Sequence, residues 1–278
     1  MTKSRLPEIR ARRFDGTKDA RSLAGNLLTD TQQQAFQRIA TVLEYRTGNC
    51  PVFAEGEDAH FIFLIASGVV RISRHSDSGK RQVLALMLPG DLFGLPDEGI
   101  YVNSADVTCP TTLFRVPWQK LTTLMLRDPA FQHNLLNRVA YDLREAQRRI
   151  MILGLQNTYQ RLATLLLDFT MHDEFFDMNR GMLNLPLSRF DMADYLGTTP
   201  ETITRSFGRL ERVGLIRRVT HRAIRIQNLD ALRLLQVGKR RNAVQLGGSH
   251  SLAISGPRVL PETLRAGLPV KEPGRSRP

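Results

Sequence analysis

Three side chains with complementary hydrogen-bonding abilities lie close together in the chain at Glu201, Thr204 and Arg205. A guanidinium can donate two hydrogen bonds to guanine O6 and N7, a carboxylate can accept one from cytosine N4, and a threonine methyl can contact the methyl of thymine. Residues three and four positions apart share one face of a helix. The three side chains could therefore read base edges if a helix presents them to a groove of DNA.

The surrounding residues predict two short helices joined by a tight turn. Ser188 is a suitable N-cap for the first helix, and Gly197, which can adopt a positive φ, is a suitable end for it. Thr199 then caps a second helix with Pro200 at its first position, where the missing N–H costs nothing. The second helix has one apolar stripe, formed by Ile203, Phe207 and Leu210.

This pattern predicts a helix-turn-helix whose second helix begins with polar side chains, the part that reaches the major groove. Residues 213–218 and 222–226 follow as two β-like runs, which is typical of the hairpin in a winged helix. The alternative interpretation is a pair of core helices with no role in DNA binding.

The charge distribution favours nucleic acid as a partner. The chain has a net charge of +12, and residues 188–226 carry eight Lys or Arg against four Asp or Glu. Much of the remaining excess lies in two basic ends, 1–22 and 238–278, which we predict to be flexible and solvated. The basic tail at 238–278 could add sequence-independent affinity for DNA.

A long helix is predicted over residues 129–157. Its apolar residues recur at spacings of three and four, as in one seam of a coiled coil. The seam consists of Leu136, Val139, Leu143, Ala146, Ile150 and Leu153. Such a self-complementary seam predicts a parallel homodimer, and the alternative is an amphipathic helix that lies on the preceding domain.

The sequence pattern of the rest of the chain predicts an α+β fold. Residues 26–128 hold short β-like runs separated by Gly, Pro, Asn and Asp, which predicts a sandwich or small barrel. A further helix is predicted over about 158–176. The predicted domains are a basic flexible N-terminus (1–25), a β-barrel (26–128), a dimerisation helix (129–157), a winged helix-turn-helix (158–237) and a disordered basic tail (238–278).

Several classes of protein are excluded by composition. No apolar run is long enough to span a membrane, and the polar N-terminus has no secretory signal, so we expect a cytoplasmic protein. The only two cysteines, Cys50 and Cys109, cannot form a disulfide framework or hold an iron–sulfur cluster alone. We predict no metal and no cofactor, although either cysteine could be redox-sensitive.

Residues from about 45 to 235 resemble the CRP/FNR superfamily of bacterial transcription regulators, and within it the FNR/FixK-type branch. The resemblance is carried by the motifs at 89–94 (PGDLFG), 187–189 (LSR), 193–197 (ADYLG) and 201–205 (ETITR). It implies an N-terminal cyclic-nucleotide-binding-type β-barrel (a jelly roll), a long dimerisation helix and a C-terminal winged helix-turn-helix. It also implies a homodimeric, non-enzymatic regulator that binds double-stranded DNA, contacts RNA polymerase and controls genes for low-oxygen respiration, denitrification or nitrogen fixation.

The resemblance also implies roles for individual residues. Glu201 and Arg205 would read bases, with Thr204 beside them, where the FNR type usually has serine. By this resemblance, phosphate contacts would come from Ser188, Arg189, Thr199 and Thr202, and we expect the basic side chains of Arg209 and Arg218 to add further ones. Pro200 stands where cAMP-responsive members carry a base-reading arginine, which favours a TTG(A)…(T)CAA palindrome over TGTGA.

The effector pocket of the resembling family would lie at Gly90, Asp91, Asn103 and Ser104. In cAMP-binding members an Arg–Ser pair holds the cyclic phosphate, but this chain has Asn103–Ser104 and so lacks the bidentate, charge-assisted contact. We therefore expect a regulator controlled by its own abundance. The alternatives are gating by cyclic nucleotide or by haem, the latter through a histidine such as His60, His75 or His133, and, remotely, a cupin-like enzyme.

Overall fold

A computed structural model describes residues 9–13, 30–77, 79 and 81–236 of the chain. The predictions for the rest of 1–25 and for the tail at 238–278 lie outside these residues. Within the described part, no helix combines the length and the apolar character needed to cross a membrane.

The first part of the chain contains nine strands in two antiparallel sheets. The strands are β1 (Ile9–Arg13), β2 (Thr41–Tyr45), β3 (Cys50–Phe53), β4 (Phe61–Ser67), β5 (Val70–His75), β6 (Arg81–Met87), β7 (Leu92–Phe93), β8 (Ser104–Val107) and β9 (Thr111–Pro117). One sheet has the order β1-β2-β9-β4-β7 and the other has the order β3-β8-β5-β6. Ile65 and Leu113 of the first sheet share a core with Val70 and Val107 of the second. The domain is therefore the predicted jelly roll, with two facing sheets instead of a single closed barrel.

Both faces of β9 are covered, and a tight turn fixes the neighbouring strands. Leu113 lies in the core between the two sheets, whereas Phe114 and Val116 point to the other face and lie in a second buried cluster. Gly68 joins β4 to β5 with a φ of 86°, and a Cβ there would lie 2.3 Å from the hydroxyl oxygen of Thr111. Only glycine fits this turn.

Residues 9–13 differ from the predicted flexible N-terminus, which is wrong for this stretch. They form β1, which pairs in antiparallel register with β2 from Ile9 opposite Tyr45 to Arg13 opposite Thr41. Apolar and charged residues alternate only over positions 9–12, which is too short a pattern to indicate a strand within a basic segment, and main-chain hydrogen bonds hold the strand at the sheet edge.

Three helices accompany the jelly roll. They are α1 (Asp30–Ile39), α2 (Trp118–Arg127) and α3 (Pro129–Leu155). Phe36 of α1, Leu121 of α2 and Phe131 of α3 are buried in one cluster with Ile62 and Phe114 of the first sheet. The carboxylate of Asp128 accepts a hydrogen bond of 3.0 Å from the backbone N–H of Phe131, so α3 begins with a capped first turn.

The remaining elements form the helix-turn-helix unit. They are α4 (Thr158–Phe169), β10 (Phe176–Asp177), β11 (Met182–Asn184), α5 (Arg189–Leu196), α6 (Pro200–Arg212), β12 (Ile216–Arg218), β13 (Ala223–Ile226) and α7 (Leu229–Gln236). The predicted helix over 158–176 is wrong after Phe169. There the chain turns back, and the ring of Phe175 packs edge-on against that of Phe169 at 5.2 Å between centroids. The chain buries the Phe175 ring in this way instead of continuing the helix.

Candidate nucleic-acid interface

Capping bonds define where α5 begins and ends. The Ser188 hydroxyl oxygen accepts a hydrogen bond of 3.0 Å from the backbone N–H of Asp191, and the Asp191 carboxylate accepts one of 3.3 Å from the backbone N–H of Ser188. This reciprocal pair is a capping box. Gly197 adopts the left-handed conformation at φ 63° and terminates the helix, as its position in the sequence predicted.

The N-cap of the second helix, Thr199, lies two residues after this glycine. The Thr199 hydroxyl accepts a hydrogen bond of 3.3 Å from the backbone N–H of Thr202, and Pro200 occupies the first helical position. Ile203, Phe207 and Leu210 are completely buried, which fixes α6 against the core of the unit. The helix therefore presents a single defined face to solvent.

That solvent face carries the predicted base-reading residues. Glu201, Thr204 and Arg205 are all exposed in the first two turns of α6. Arg205 donates a hydrogen bond of 3.0 Å to the Thr202 hydroxyl. Hydrogen bonds from its own backbone N–H and from Thr199 lower the pKa of Glu201, which keeps its carboxylate ionised as an acceptor. Both a donor and an acceptor are thus available to base edges.

The predicted phosphate-binding residues surround this face but already have partners within the protein. The guanidinium of Arg189 lies 3.8 Å from the ring centroid of Phe207, and burial and the charge of Arg218 lower its pKa. The guanidinium of Arg209 lies 4.5 Å from the ring centroid of Tyr159. Stacking on these rings orients the two guanidinium groups, and their N–H groups can still donate hydrogen bonds.

The wing supplies further cations. β12 and β13 pair in antiparallel register, and Arg217 and Arg222 of this hairpin are exposed. Arg218 donates to Glu211 of α6 through its backbone N–H at 3.0 Å and through Nε at 2.9 Å. These two hydrogen bonds join the wing to α6. A phosphate that contacts Arg218 would therefore share its guanidinium with the Glu211 carboxylate.

The predicted dimer seam is uncovered in the single chain. Leu136, Leu143 and Ile150 are 65%, 59% and 70% exposed. Val139 and Ala146 are also exposed, and Leu153 is partly buried. A row of exposed apolar side chains along one helix marks an interaction surface.

The predicted effector-pocket residues are engaged with the protein itself. The Asp91 carboxylate pairs with Arg138 of α3 and accepts a hydrogen bond of 2.7 Å from the backbone N–H of Leu88. The backbone carbonyl of Gly90 accepts a hydrogen bond of 3.0 Å from Arg138. Burial by itself lowers the pKa of Arg138, but the charges of and hydrogen bonds to Asp91 and Asp142 together outweigh burial, and the pKa is raised. Gly90 and Asp91 therefore attach the long helix to the jelly roll.

Asn103 and Ser104 lie at the beginning of β8, in the second sheet. The Ser104 hydroxyl oxygen accepts a hydrogen bond of 3.0 Å from the backbone N–H of Glu55, and Asn103 is partly exposed. Aromatic rings fill the space between the sheets, where Phe53 stacks on Tyr101 at 3.7 Å between centroids. Among the hydrogen bonds of the described residues, Asp91 and Ser104 share no partner, and the assignment of the four residues to an effector pocket stays a prediction.

Metal-binding and thiol chemistry both find little support in the described part of the chain. No three His, Cys, Asp or Glu residues gather there as a ligand set for a metal. Cys50 and Cys109 are both buried, and burial raises the pKa of the Cys109 thiol. A raised pKa disfavours the reactive thiolate.

The sequence analysis missed an ion-pair cluster between the jelly roll and α5. It consists of Arg71, Arg81, Asp191 and Asp194. The one signal in the sequence was Arg71 standing between Val70 and Ile72 in an apolar strand, where a charge needs a buried partner.

Two stretches of the chain match known domain families. Residues 160–235 match the Crp-like helix-turn-helix domain, and residues 43–128 match the cyclic nucleotide-binding domain. The first match covers α4 to α6 and the wing, and the second covers most of the jelly roll and α2.

Individual proteins show the same likeness. The nitrogen fixation regulation protein FixK of Azorhizobium caulinodans is 31% identical over 188 residues, which cover 67% of this chain and 76% of FixK. The transcriptional activator protein FnrA of Stutzerimonas stutzeri is 26% identical over 167 residues, which cover 59% of this chain and 68% of FnrA. The solved structure of FixK2 from Bradyrhizobium japonicum is 30% identical, with a TM-score of 0.65 over 71% of this chain and 97% of FixK2.

Proposed function

This chain belongs to the CRP/FNR family of transcription regulators, in the FNR/FixK branch of DNA-binding activators, and we propose that it binds a TTG(A)…(T)CAA palindrome as a homodimer. The main support for this proposal is the pair of oppositely charged, exposed side chains at the start of α6. Glu201 and Arg205 lie one helical turn apart, and Pro200 replaces a third base-reading side chain. Such a pair can specify a G·C pair in each half-site.

The dimer follows from the seam of α3. Two chains joined along Leu136, Leu143 and Ile150 would cover those side chains and place two α6 helices on successive turns of DNA. Exposed arginines of α6 and the wing supply the phosphate contacts that give affinity independent of sequence.

The cellular role is proposed from the family. We place the protein in the cytoplasm, where it activates transcription by contacting RNA polymerase, with genes for low-oxygen respiration, denitrification or nitrogen fixation as targets. Regulation, not catalysis, is the activity we assign to it. The internal partners of Asp91 and Ser104 support control by abundance over control by a bound cyclic nucleotide.

Fluorescence anisotropy tests the proposal with three labelled duplexes of equal length. They carry TTGAT-N4-ATCAA, a TGTGA-type palindrome and a scrambled site, and the protein is the full chain without added effector. We expect tight binding to the first duplex and weaker, similar binding to the other two. Preference for TGTGA contradicts the assigned specificity, and equally weak binding to all three favours an effector-gated regulator.

A further inference from the structure

Four charged residues join the jelly roll to the first helix of the helix-turn-helix. Arg71 of β5 pairs with Asp191 of α5, and its other nitrogen pairs with Asp106 at 3.1 Å. Arg81 of β6 pairs with Asp194 at 2.6 Å and with Asp191 at 3.2 Å. We call Arg71, Arg81, Asp191 and Asp194 the interdomain ion cluster.

The centre of this cluster is buried. The side chains of Arg71 and Asp191 are 7% and 5% exposed, whereas those of Arg81 and Asp194 are 27% and 26% exposed. A buried ion pair loses the solvation of both charges, so it adds little net stability, but removal of one partner leaves an uncompensated charge. Such a pair penalises every arrangement in which the two elements separate or slide.

Neighbouring contacts connect the same place to the long helix. The Arg149 guanidinium of α3 lies 3.4 Å from the ring centroid of Tyr195 and donates to the backbone carbonyls of Val83 and Tyr195. Gln82 donates a hydrogen bond of 2.7 Å to the backbone carbonyl of Asp194. α5 is therefore held by β5, β6 and α3 together, and α3 carries the dimer seam.

The cluster also reaches the DNA-binding end of α5. Asp191 forms the capping box with Ser188, whose hydroxyl donates to its carboxylate at 2.6 Å. Burial by itself raises the pKa of Asp191, but the hydrogen bond from Ser188 and the charge of Arg71 outweigh it, and the pKa is lowered. The ionised carboxylate thus serves both the cluster and the cap.

We propose that the interdomain ion cluster positions the two helix-turn-helix units of the dimer so that both half-sites are bound at once, and that Arg71 and Arg81 are its positioning residues. The inference rests on the proposed palindrome binding. Binding the second half-site is an intramolecular step whose gain depends on geometry. Loss of the cluster should reduce binding to a full palindrome while leaving contact with one half-site intact.

The test compares affinities for a full palindrome and for a duplex in which one half-site is scrambled. The variants are Arg81→Gln, Asp194→Asn and the double variant, because these side chains are partly exposed and their loss leaves the buried pair in place. Arg74→Gln is the matched control. Arg74 lies on β5 and pairs with Glu55 at 2.8 Å, so this variant removes an ion pair that lies within the jelly-roll part of the chain.

We expect the ratio of full-site to half-site affinity to fall roughly fivefold or more in Arg81→Gln and Asp194→Asn, a typical size for coupling between sites. The double variant should fall no further than the worse single one, and Arg74→Gln should keep the wild-type ratio. Equal weakening on both duplexes, an additive double variant or a lowered ratio in Arg74→Gln would each overturn the inference.

Arg71→Met tests the buried pair directly, with circular dichroism to verify folding. If it folds, we expect the lowest ratio of the series, and an unchanged ratio contradicts the proposal; if it does not fold, the partly exposed variants decide. A wild-type chain that binds full and half sites equally overturns the proposed palindrome binding and this inference together. A wild-type preference that survives in Arg81→Gln and Asp194→Asn overturns this inference alone.

Discussion

The hydroxyl of Ser188 has two partners before any DNA is present. It accepts from the backbone N–H of Asp191 and donates to the carboxylate of the same residue. A phosphate contact from this hydroxyl therefore requires its hydrogen to leave the carboxylate. Its capping role is visible in the structure, and its phosphate role remains a prediction.

Arg205 is the residue on which sequence preference depends most. Replacement by alanine removes both donors to guanine, and we expect Arg205→Ala to lose about 1–3 kcal/mol of discrimination per half-site. Arg212→Ala removes the same charge from the last turn of α6 and should weaken binding to all sequences equally. Competition between palindrome and scrambled duplex measures both, and retained preference in Arg205→Ala would contradict the assignment.

His172 gives the folded protein a dependence on pH. Burial lowers its pKa from the ordinary 6.5, against the opposing charges of Asp91 and Asp173. The unfolded chain then binds the proton more readily, so this contribution to stability is complete above 6.5 and is lost as pH falls through the folded-state pKa. We expect the free energy of unfolding to fall on acidification, and to fall less in His172→Gln.

Urea denaturation at several pH values measures this difference. His60→Gln is the control, since His60 is an imidazole with 75% of its side chain exposed. An identical pH dependence in wild type and His172→Gln would refute the assignment.

At the scale of elements, replacement by alanine should have opposite effects on stability at two glycines, Gly197 and Gly208. Gly197 has a φ of 63°, and a Cβ there meets nothing closer than 3.7 Å, so Gly197→Ala costs backbone strain of about 1–2 kcal/mol. Gly208 lies inside α6 with open space around it, so Gly208→Ala should stabilise the unit by roughly 0.5–1 kcal/mol. Thermal unfolding distinguishes them: a stabilising Gly197→Ala would contradict the left-handed conformation at 197, and a destabilising Gly208→Ala would contradict the open space at 208.

The seam of α3 predicts the oligomeric state. Leu143 is 59% exposed in the single chain, so Leu143→Glu should not disturb the fold, yet it places a charge in the middle of the proposed interface. We expect a monomer by sedimentation and loss of tight palindrome binding. Leu126→Glu is the control, because Leu126 of α2 is 80% exposed and outside the seam. A dimeric Leu143→Glu would place the interface elsewhere.

At the scale of the whole molecule, charge predicts how binding responds to salt. Residues 238–278 carry eight Lys or Arg against two Asp or Glu. If these cations contact phosphates, deletion of 238–278 should make the plot of log affinity against log salt shallower, by about 0.9 per lost phosphate contact. Preference for the palindrome should be retained. An unchanged slope would remove any role of this tail in binding.

The parts of the molecule that could be predicted from the sequence depend on local signals. Caps at Ser188 and Thr199, the left-handed Gly197 and the regular spacing of the α3 seam each act within one or two helical turns. The parts that could not be predicted depend on residues distant in the chain. Arg71 and Asp191 are 120 positions apart, and neither type nor spacing indicates that they meet.

The same limit explains the candidate effector residues. The ligand site assigned to Gly90 and Asp91 stays a prediction, and nothing in the motif indicated that the carboxylate would pair with Arg138, 47 positions later. A short motif fixes the turn that presents a side chain, and the partner of that side chain is set by packing. β1 was missed because edge pairing uses main-chain groups that every residue has.

This short first strand bears on solubility. Without it, the outer edge of β2 would present the unpaired N–H and C=O groups of Thr41–Tyr45, and an open edge can recruit a strand from a neighbouring molecule. β1 occupies that edge and offers a new one, on which Arg10 is exposed and its positive charge disfavours pairing with a second copy. We therefore expect β1 to disfavour edge-to-edge aggregation, and a chain shortened past residue 13 would expose the more apolar edge of β2.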